Sequence, residues 1–150
     1  MSLKQLNLAL AAICVGVAAH QPAPAQTAPT GCTKFHKSVT VTITSTGTVA
    51  KVKPDPSCVA IGGKMNWKIS GGEKWATDFD ADDHSPFPPG KRHHEGVAGQ
   101  SVGDTVRACS NNDPSYDHAA GGCVFKYKAS HVKGGTTSVL DPQVVVQPGT

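Results

Sequence analysis

Cys123-Val124-Phe125-Lys126-Tyr127-Lys128-Ala129 is the stretch that decides the fold, because apolar and polar side chains alternate along it. A period of two sends neighbouring side chains to opposite faces, the pattern of a β-strand half-buried in an antiparallel sheet. Downstream, Gly134-Gly135 supplies a turn, and Leu140-Asp141-Pro142 leads into the valine run Val144 to Val146. Upstream, a loop bounded by Cys109 and Cys123 follows a strand-like segment beginning at Val106.

The same period recurs towards the N-terminus. Ser38-Val39-Thr40-Val41-Thr42-Ile43-Thr44 alternates strictly, with Val39, Val41 and Ile43 on one face and threonines on the other. Thr46-Gly47 turns the chain, Val49-Ala50-Lys51-Val52 alternates again, and Pro54-Asp55-Pro56 stops it. A short strand from Cys58 to Ile61 then meets Gly62-Gly63, which reads as a hairpin. Beyond it, Met65-Asn66-Trp67-Lys68-Ile69 puts Met65, Trp67 and Ile69 on one face. Trp75 to Phe79 reads as a short strand, and pairing resumes around Ser101 to Ala108. No segment keeps helical spacing over the length a helix needs, and 16 glycines with 11 prolines favour turns. The expected fold is all-β, a two-sheet sandwich. Between its strands, Asp80 to Gly99 holds three prolines and almost no aliphatic residue, and reads as a long surface excursion.

The first 25 residues read as an export signal. Lys4 gives a positive start, Leu6 to Ala19 is almost wholly apolar, and small residues precede His20 and Gln26. The apolar run is shorter than the roughly 20 residues of a membrane span, so a retained anchor is the weaker reading and no stable span is expected after cleavage. Cleavage after Ala25 is favoured over Ala19, because the Pro/Ala/Gln stretch up to Thr30 cannot fold. Residues 26–37 then form an N-terminal extension and 38–148 the sandwich. Loss of Lys4 lowers the net charge from +3 to +2. A charge so small, with no basic run interleaved with aromatics, does not suggest nucleic acid, and binding to acidic polymers is not indicated by it.

Cleavage also removes Cys14 and leaves Cys32, Cys58, Cys109 and Cys123. An even count in an oxidising compartment favours disulfides, and the spacings are not those of a structural zinc site or a redox C-x-x-C. Of the three pairings that four cysteines allow, Cys32–Cys58 and Cys109–Cys123 are taken, since each joins segments that the strand reading brings together.

The order of these motifs resembles the cupredoxins, the Greek-key sandwich of the blue copper proteins. The shared marks are the Thr/Val strand, the Pro54-Asp55-Pro56 corner, the Ile61-Gly62-Gly63-Lys64-Met65-Asn66-Trp67 segment, and the closing Phe125-Lys126-Tyr127 and Leu140-Asp141-Pro142-Gln143-Val144 strands. An immunoglobulin-like sandwich is the alternative. The resemblance implies a copper ligand set of two histidines, a thiolate and an axial ligand, and here the chain departs from it. No histidine follows the Trp67 strand closely, Cys109 and His118 are nine positions apart, no methionine follows, and Cys109 is expected to pair with Cys123. The resemblance therefore carries over the fold and not the copper site.

Metal-binding chemistry has one other candidate. Asp82, Asp83, His84, His93, His94 and Glu95 offer imidazoles and carboxylates that suit zinc, nickel or Cu(II). The Asp78–Asp83 run fits a calcium loop poorly, since Asp83 stands where glycine should and Pro89 where glutamate should. As loop residues, His93 and His94 are expected to be replaceable at little loss of stability. His36, His118 and His131 read as isolated surface histidines, and Trp67 and Tyr127 as core aromatics. Trp75, Phe79 and Phe87 could line a binding surface or pack inward. No hydrolase elbow, P-loop, dinucleotide fingerprint or zincin motif is present. The expectation is a periplasmic or secreted, non-enzymatic module that binds a protein or small ligand and has no cofactor. A periplasmic divalent-metal protein built on the loop is the runner-up.

Overall fold

The computed structural model describes residues 31–46 and 49–149. The expected signal at 1–25 and both its cleavage sites lie outside the described residues, as does the glycine of the Thr46-Gly47 turn.

Alternating sequence becomes strand wherever one face can be buried. β1 (His36–Thr46) buries Val39, Val41 and Ile43, and β2 (Val49–Lys53) pairs antiparallel along one side of it. β3 (Ser57–Ser70) runs parallel to β1 on the other side. Pro54-Asp55-Pro56 turns the chain from β2 to β3, and its Asp55 carboxylate accepts from the Gln143 N–H at 3.0 Å.

The hairpin expected at Gly62-Gly63 does not form. Both halves belong to β3 and run in one direction. His36 opposes Val59 and Ser38 opposes Lys64, so residues 60–63 are accommodated as an irregularity against a shorter stretch of β1. Gly62 sits there with φ of 64°, a conformation that favours glycine. A glycine pair between apolar runs thus bends a long strand instead of reversing it.

β4 (Lys74–Asp78) leaves this sheet and starts a second one. β5 (His93–Val97) pairs with β4, and β6 (Ser101–Thr105) returns to the C-terminal half of β3. The short β7 (Tyr116–Asp117) pairs with β8 (Gly122–Lys126). β9 (Lys128–Lys133), β10 (Thr136–Leu140) and β11 (Gln143–Val146) complete the chain. The alternation from Cys123 to Ala129 is real, but it spans two strands. β8 lies in the first sheet, β9 in the second, and Tyr127 is the crossing point. Gly134 and Gly135, with φ of 56° and 74°, close the β9–β10 hairpin as expected.

The result is a two-sheet all-β sandwich. One sheet is seven-stranded, ordered β2-β1-β3-β11-β8-β7 with β6 also on β3. The other is antiparallel, ordered β10-β9-β4-β5. Met65, Trp67, Val144 and Phe125 from the first meet Trp75 and Ala129 from the second in one apolar core. Among the described residues no helix is long and apolar enough to cross a membrane.

Both expected disulfides are present. Cys32–Cys58 ties the N-terminal segment to β3, and Cys109–Cys123 ties the 109–122 loop to β8, with Cα separations of 5.8 and 5.9 Å. The Gly149 N–H donates to the Cys109 carbonyl at 2.7 Å, so the C-terminal segment is held at the same staple. Intramolecular disulfides of this kind are typical of extracellular or periplasmic proteins. Replacing Cys109 and Cys123 together by Ser should lower the unfolding free energy by about 3 kcal/mol, the chain-entropy value for a loop of this size. Urea unfolding checks it. An unchanged midpoint, or reactive thiols in the native wild type, contradicts the assignment.

Candidate binding cleft

The Asp80 to Gly99 segment is not wholly a surface excursion. Its end forms β5, and in its middle Ser85, Pro86 and Phe87 are fully buried. Phe87 packs edge-on against Trp67 and Phe79, with ring centroids 5.5 and 5.6 Å apart. Trp67 also meets Tyr127, and the indole N–H donates to the Tyr127 hydroxyl at 3.3 Å. Burial holds that phenol well above its usual range. Trp75 and Phe79, which the sequence left open as surface or core, belong to the core.

The loop is pinned from outside as well. Arg107 donates its backbone N–H to the Pro86 carbonyl at 2.6 Å and its Nε–H to the Ser85 carbonyl at 2.9 Å. Nη2 reaches the Asp83 carbonyl at 3.2 Å, and Nη1 pairs with Asp113 at 2.9 Å. Its guanidinium also lies over the Phe125 ring, 5.2 Å from the centroid. Burial works to raise the Asp113 carboxyl, but the Ser115 N–H and the Arg107 guanidinium outweigh it and hold it below the usual carboxylate range. One arginine therefore fastens the 80–92 loop to the loop after β6, with a planar donor fork that lysine lacks.

Between these two loops lies a cleft of about 510 Å³. Phe87, Pro89 and Pro114 give it apolar walls, and Asp82, Asp83 and His84 line it. All three polar residues are exposed. Arg107 and Asp113 also line the cleft, but they neutralise each other. A smaller groove beside it shares His84 and runs past Asp80 and Lys126. This surface was not legible as a site, because Arg107 and Asp113 drew no attention in the sequence.

The six candidate ligands do not come together. Along β5, His93 and Glu95 face outward while His94 faces the core. His93 donates its Nδ1–H to the Asp78 carboxylate at 2.6 Å, and its Nε2 is 3.7 Å from Glu95. The Asp78 hydrogen bond is the main cause that raises the His93 pKa. Asp82, Asp83 and His84 stand at the cleft instead. Among the described residues no three His, Cys, Asp or Glu side chains gather as a metal site would require. Of the other histidines, His36 and His118 are exposed, but His131 is buried at 3% exposure and so is not a surface residue.

His94 is also buried, at 6% exposure, so it is not a freely replaceable loop residue. Its ring lies 4.7 Å from the Trp67 ring and 5.0 Å from that of Phe87. Among the described residues neither ring nitrogen has a hydrogen-bond partner, nor has the hydroxyl of Thr77, the residue opposite it on β4. Burial is the main cause that lowers the His94 pKa. Asp104 pulls the other way, and His93 and Lys91 add to the lowering. A lowered folded-state value means the unfolded chain takes up the proton first. The contribution is therefore full above about pH 6.5 and is lost as pH falls from there through the folded-state value. His93 works in the opposite direction, but its half-exposed ion pairs are screened.

His94→Phe keeps a ring between Trp67 and Phe87 and removes the titrating group. Wild type should lose stability between pH 6.5 and 5.5 by up to about 1.4 kcal/mol per unit, and the variant should lose much less. Urea unfolding across that range decides it, and parallel profiles contradict the assignment.

No family model matches the chain, and no curated protein or solved structure matches it either.

Proposed function

We propose that this is an exported, non-enzymatic binding module on a cupredoxin-like scaffold without a blue copper centre, and that the Asp82–Pro89/Arg107–Pro114 cleft is its recognition surface. The observation that carries the reading is a pre-formed cleft between two loops that Arg107 locks together. Pre-organised concave sites with apolar walls and a few placed polar groups are the usual form of ligand sites. The cupredoxin-like part rests on the two-sheet sandwich and on the motif order of the sequence. A blue copper centre needs a thiolate, and the sulfur of Cys109 is committed to Cys123. The disulfides support a periplasmic or secreted location.

The chemistry of the cleft narrows the ligand. The Arg107 charge is cancelled by Asp113, which leaves the Asp82 and Asp83 carboxylates at the rim beside apolar walls. A cation on an apolar stem fits this arrangement, as in a lysine or arginine side chain of a partner protein or a small basic ligand. The divalent-metal reading draws less support, since its six residues are divided between the cleft, the outer face of β5 and the core.

Amide-resolved NMR titration with a Lys/Arg-containing peptide and its Glu-substituted counterpart tests the proposal. The basic peptide should shift the amides of Asp83, His84, Arg107 and Asp113, and Asp82→Asn with Asp83→Asn should weaken it by about tenfold. Shifts confined to other surfaces, or equal response to both peptides, contradict it.

A further inference from the structure

The net charge of +3 conceals a strong segregation of charge. Between His36 and Gly72 the chain carries five lysines and one carboxylate, Asp55. Strand alternation decides where they go. Val39, Val41 and Ile43 of β1 and Met65, Trp67 and Ile69 of β3 are buried, so the residues between them form the outer face of the seven-stranded sheet. Register then lines up Lys53, Thr42, Lys68 and Ser101 in one row across four strands. Thr44 opposes Lys51, and Ser38, Lys64 and Thr105 form another row.

Among the described residues β1, β2, β3 and β6 present no carboxylate on this face, and Asp117 of β7 stands at the far edge of the sheet, engaged by the Ala119 and Ala120 N–H groups. Asp104 of β6 opposes the buried Met65, on the other side of the sheet, and pairs with Lys91 at 3.2 Å. Asp55 stands at the corner, engaged by the Gln143 N–H. Lys51, Lys53, Lys64 and Lys68 are all exposed and form no ion pair among the described residues. The face also has relief. At one end a groove of about 270 Å³ is lined by Lys34, His36, Ser38, Thr40, Pro54 and Pro56.

We propose that this face docks an anionic polysaccharide, separately from the cleft and whatever the cleft binds. Unpaired ammonium groups set among hydroxyls match a chain of carboxylated or sulfated sugars, which offers anionic oxygens and hydroxyls at repeated intervals. Two other polyanions fit less well. A lipid surface calls for apolar side chains that insert. Of the large apolar residues exposed here, Val97 and Val139 lie on the other sheet and Ile61 at the bend of β3. Single-stranded nucleic acid calls for exposed rings on which bases stack. Among the described residues the strands of this sheet present no Trp, Tyr or Phe ring openly to solvent: Trp67 and Phe125 are buried in the core, Tyr116 is half-buried at the far edge, and His36 alone is an exposed ring.

The discriminating experiment is calorimetric titration of the disulfide-intact protein with polygalacturonate at about 50 mM salt, where screening is modest. Neutral dextran, anionic phosphatidylglycerol vesicles and duplex DNA serve as comparisons. Polygalacturonate should bind and weaken as salt rises, and dextran should not bind. Lys53→Gln, Lys64→Gln and Lys68→Gln together should weaken it by about tenfold at an unchanged melting temperature. Lys74→Gln with Lys133→Gln, on the other sheet, should leave it unaltered. Absence of binding, equal binding by the triple variant, or vesicles or DNA binding as tightly as the glycan overturns the proposal.

Discussion

Trp67 stands where the two sheets and the 80–92 loop meet, and its ring contacts tie all three together. It comes from β3 in the seven-stranded sheet, and its indole touches Phe79 just after β4, Phe87 from the loop, His94 from β5 and Tyr127 from the sheet crossing. Edge-on packing suits aromatic rings, whose positive edges meet negative faces, and each such pair adds about 0.5–1.5 kcal/mol beyond burial. Truncating a buried ring of this kind costs about 3–5 kcal/mol. The loop therefore has a fixed shape although it has almost no aliphatic residue, because Phe87 reaches the core for it. A cleft built on that loop can be pre-formed only because the ring cluster holds its inner side and Arg107 its outer side.

The same geometry divides the charges. Alternation on β1 and β3 sends apolar side chains to Trp67 and lysines to the opposite face. Meanwhile Asp82 and Asp83 collect at the cleft rim, and Asp78 and Glu95 flank His93 on the outer face of the small sheet. A basic sheet face and an acidic loop surface on one small domain give it two chemically different surfaces. His94 belongs to neither. It fills a ring-sized place beside Trp67, where its nitrogens lack partners among the described residues and burial favours the neutral imidazole.

Much of the architecture was legible in the sequence, because period-two alternation reports directly which face of a strand is buried. That held for Val39 to Ile43, for Met65 to Ile69 and for the Gly134-Gly135 hairpin. Both disulfide pairings followed from strands already placed. Alternation says nothing about direction or sheet membership, which is why Gly62-Gly63 read as a reversal and Cys123 to Ala129 as one strand. The loop was misread for a different reason. Prolines and missing aliphatics signal exposure on average, but Phe87 and His94 were buried by tertiary contacts with a tryptophan 20 or more positions away in sequence. Metal-ligand spacing failed at β5 because neighbouring histidines on a strand face opposite ways. The cleft was invisible because its key residue, Arg107, works through backbone carbonyls, and no motif records which carbonyls will be near.

The 80–92 loop, with Phe79 before it, belongs to the folded core and is not an excursion from it. Native-state hydrogen exchange measures this directly at two amides, Phe79, which donates to the Arg92 carbonyl, and Arg107, which donates to Pro86. Both should exchange only with global unfolding, at the protection level of the β3 amides around Trp67. Exchange at both positions through local opening, far faster than in β3, would contradict the account.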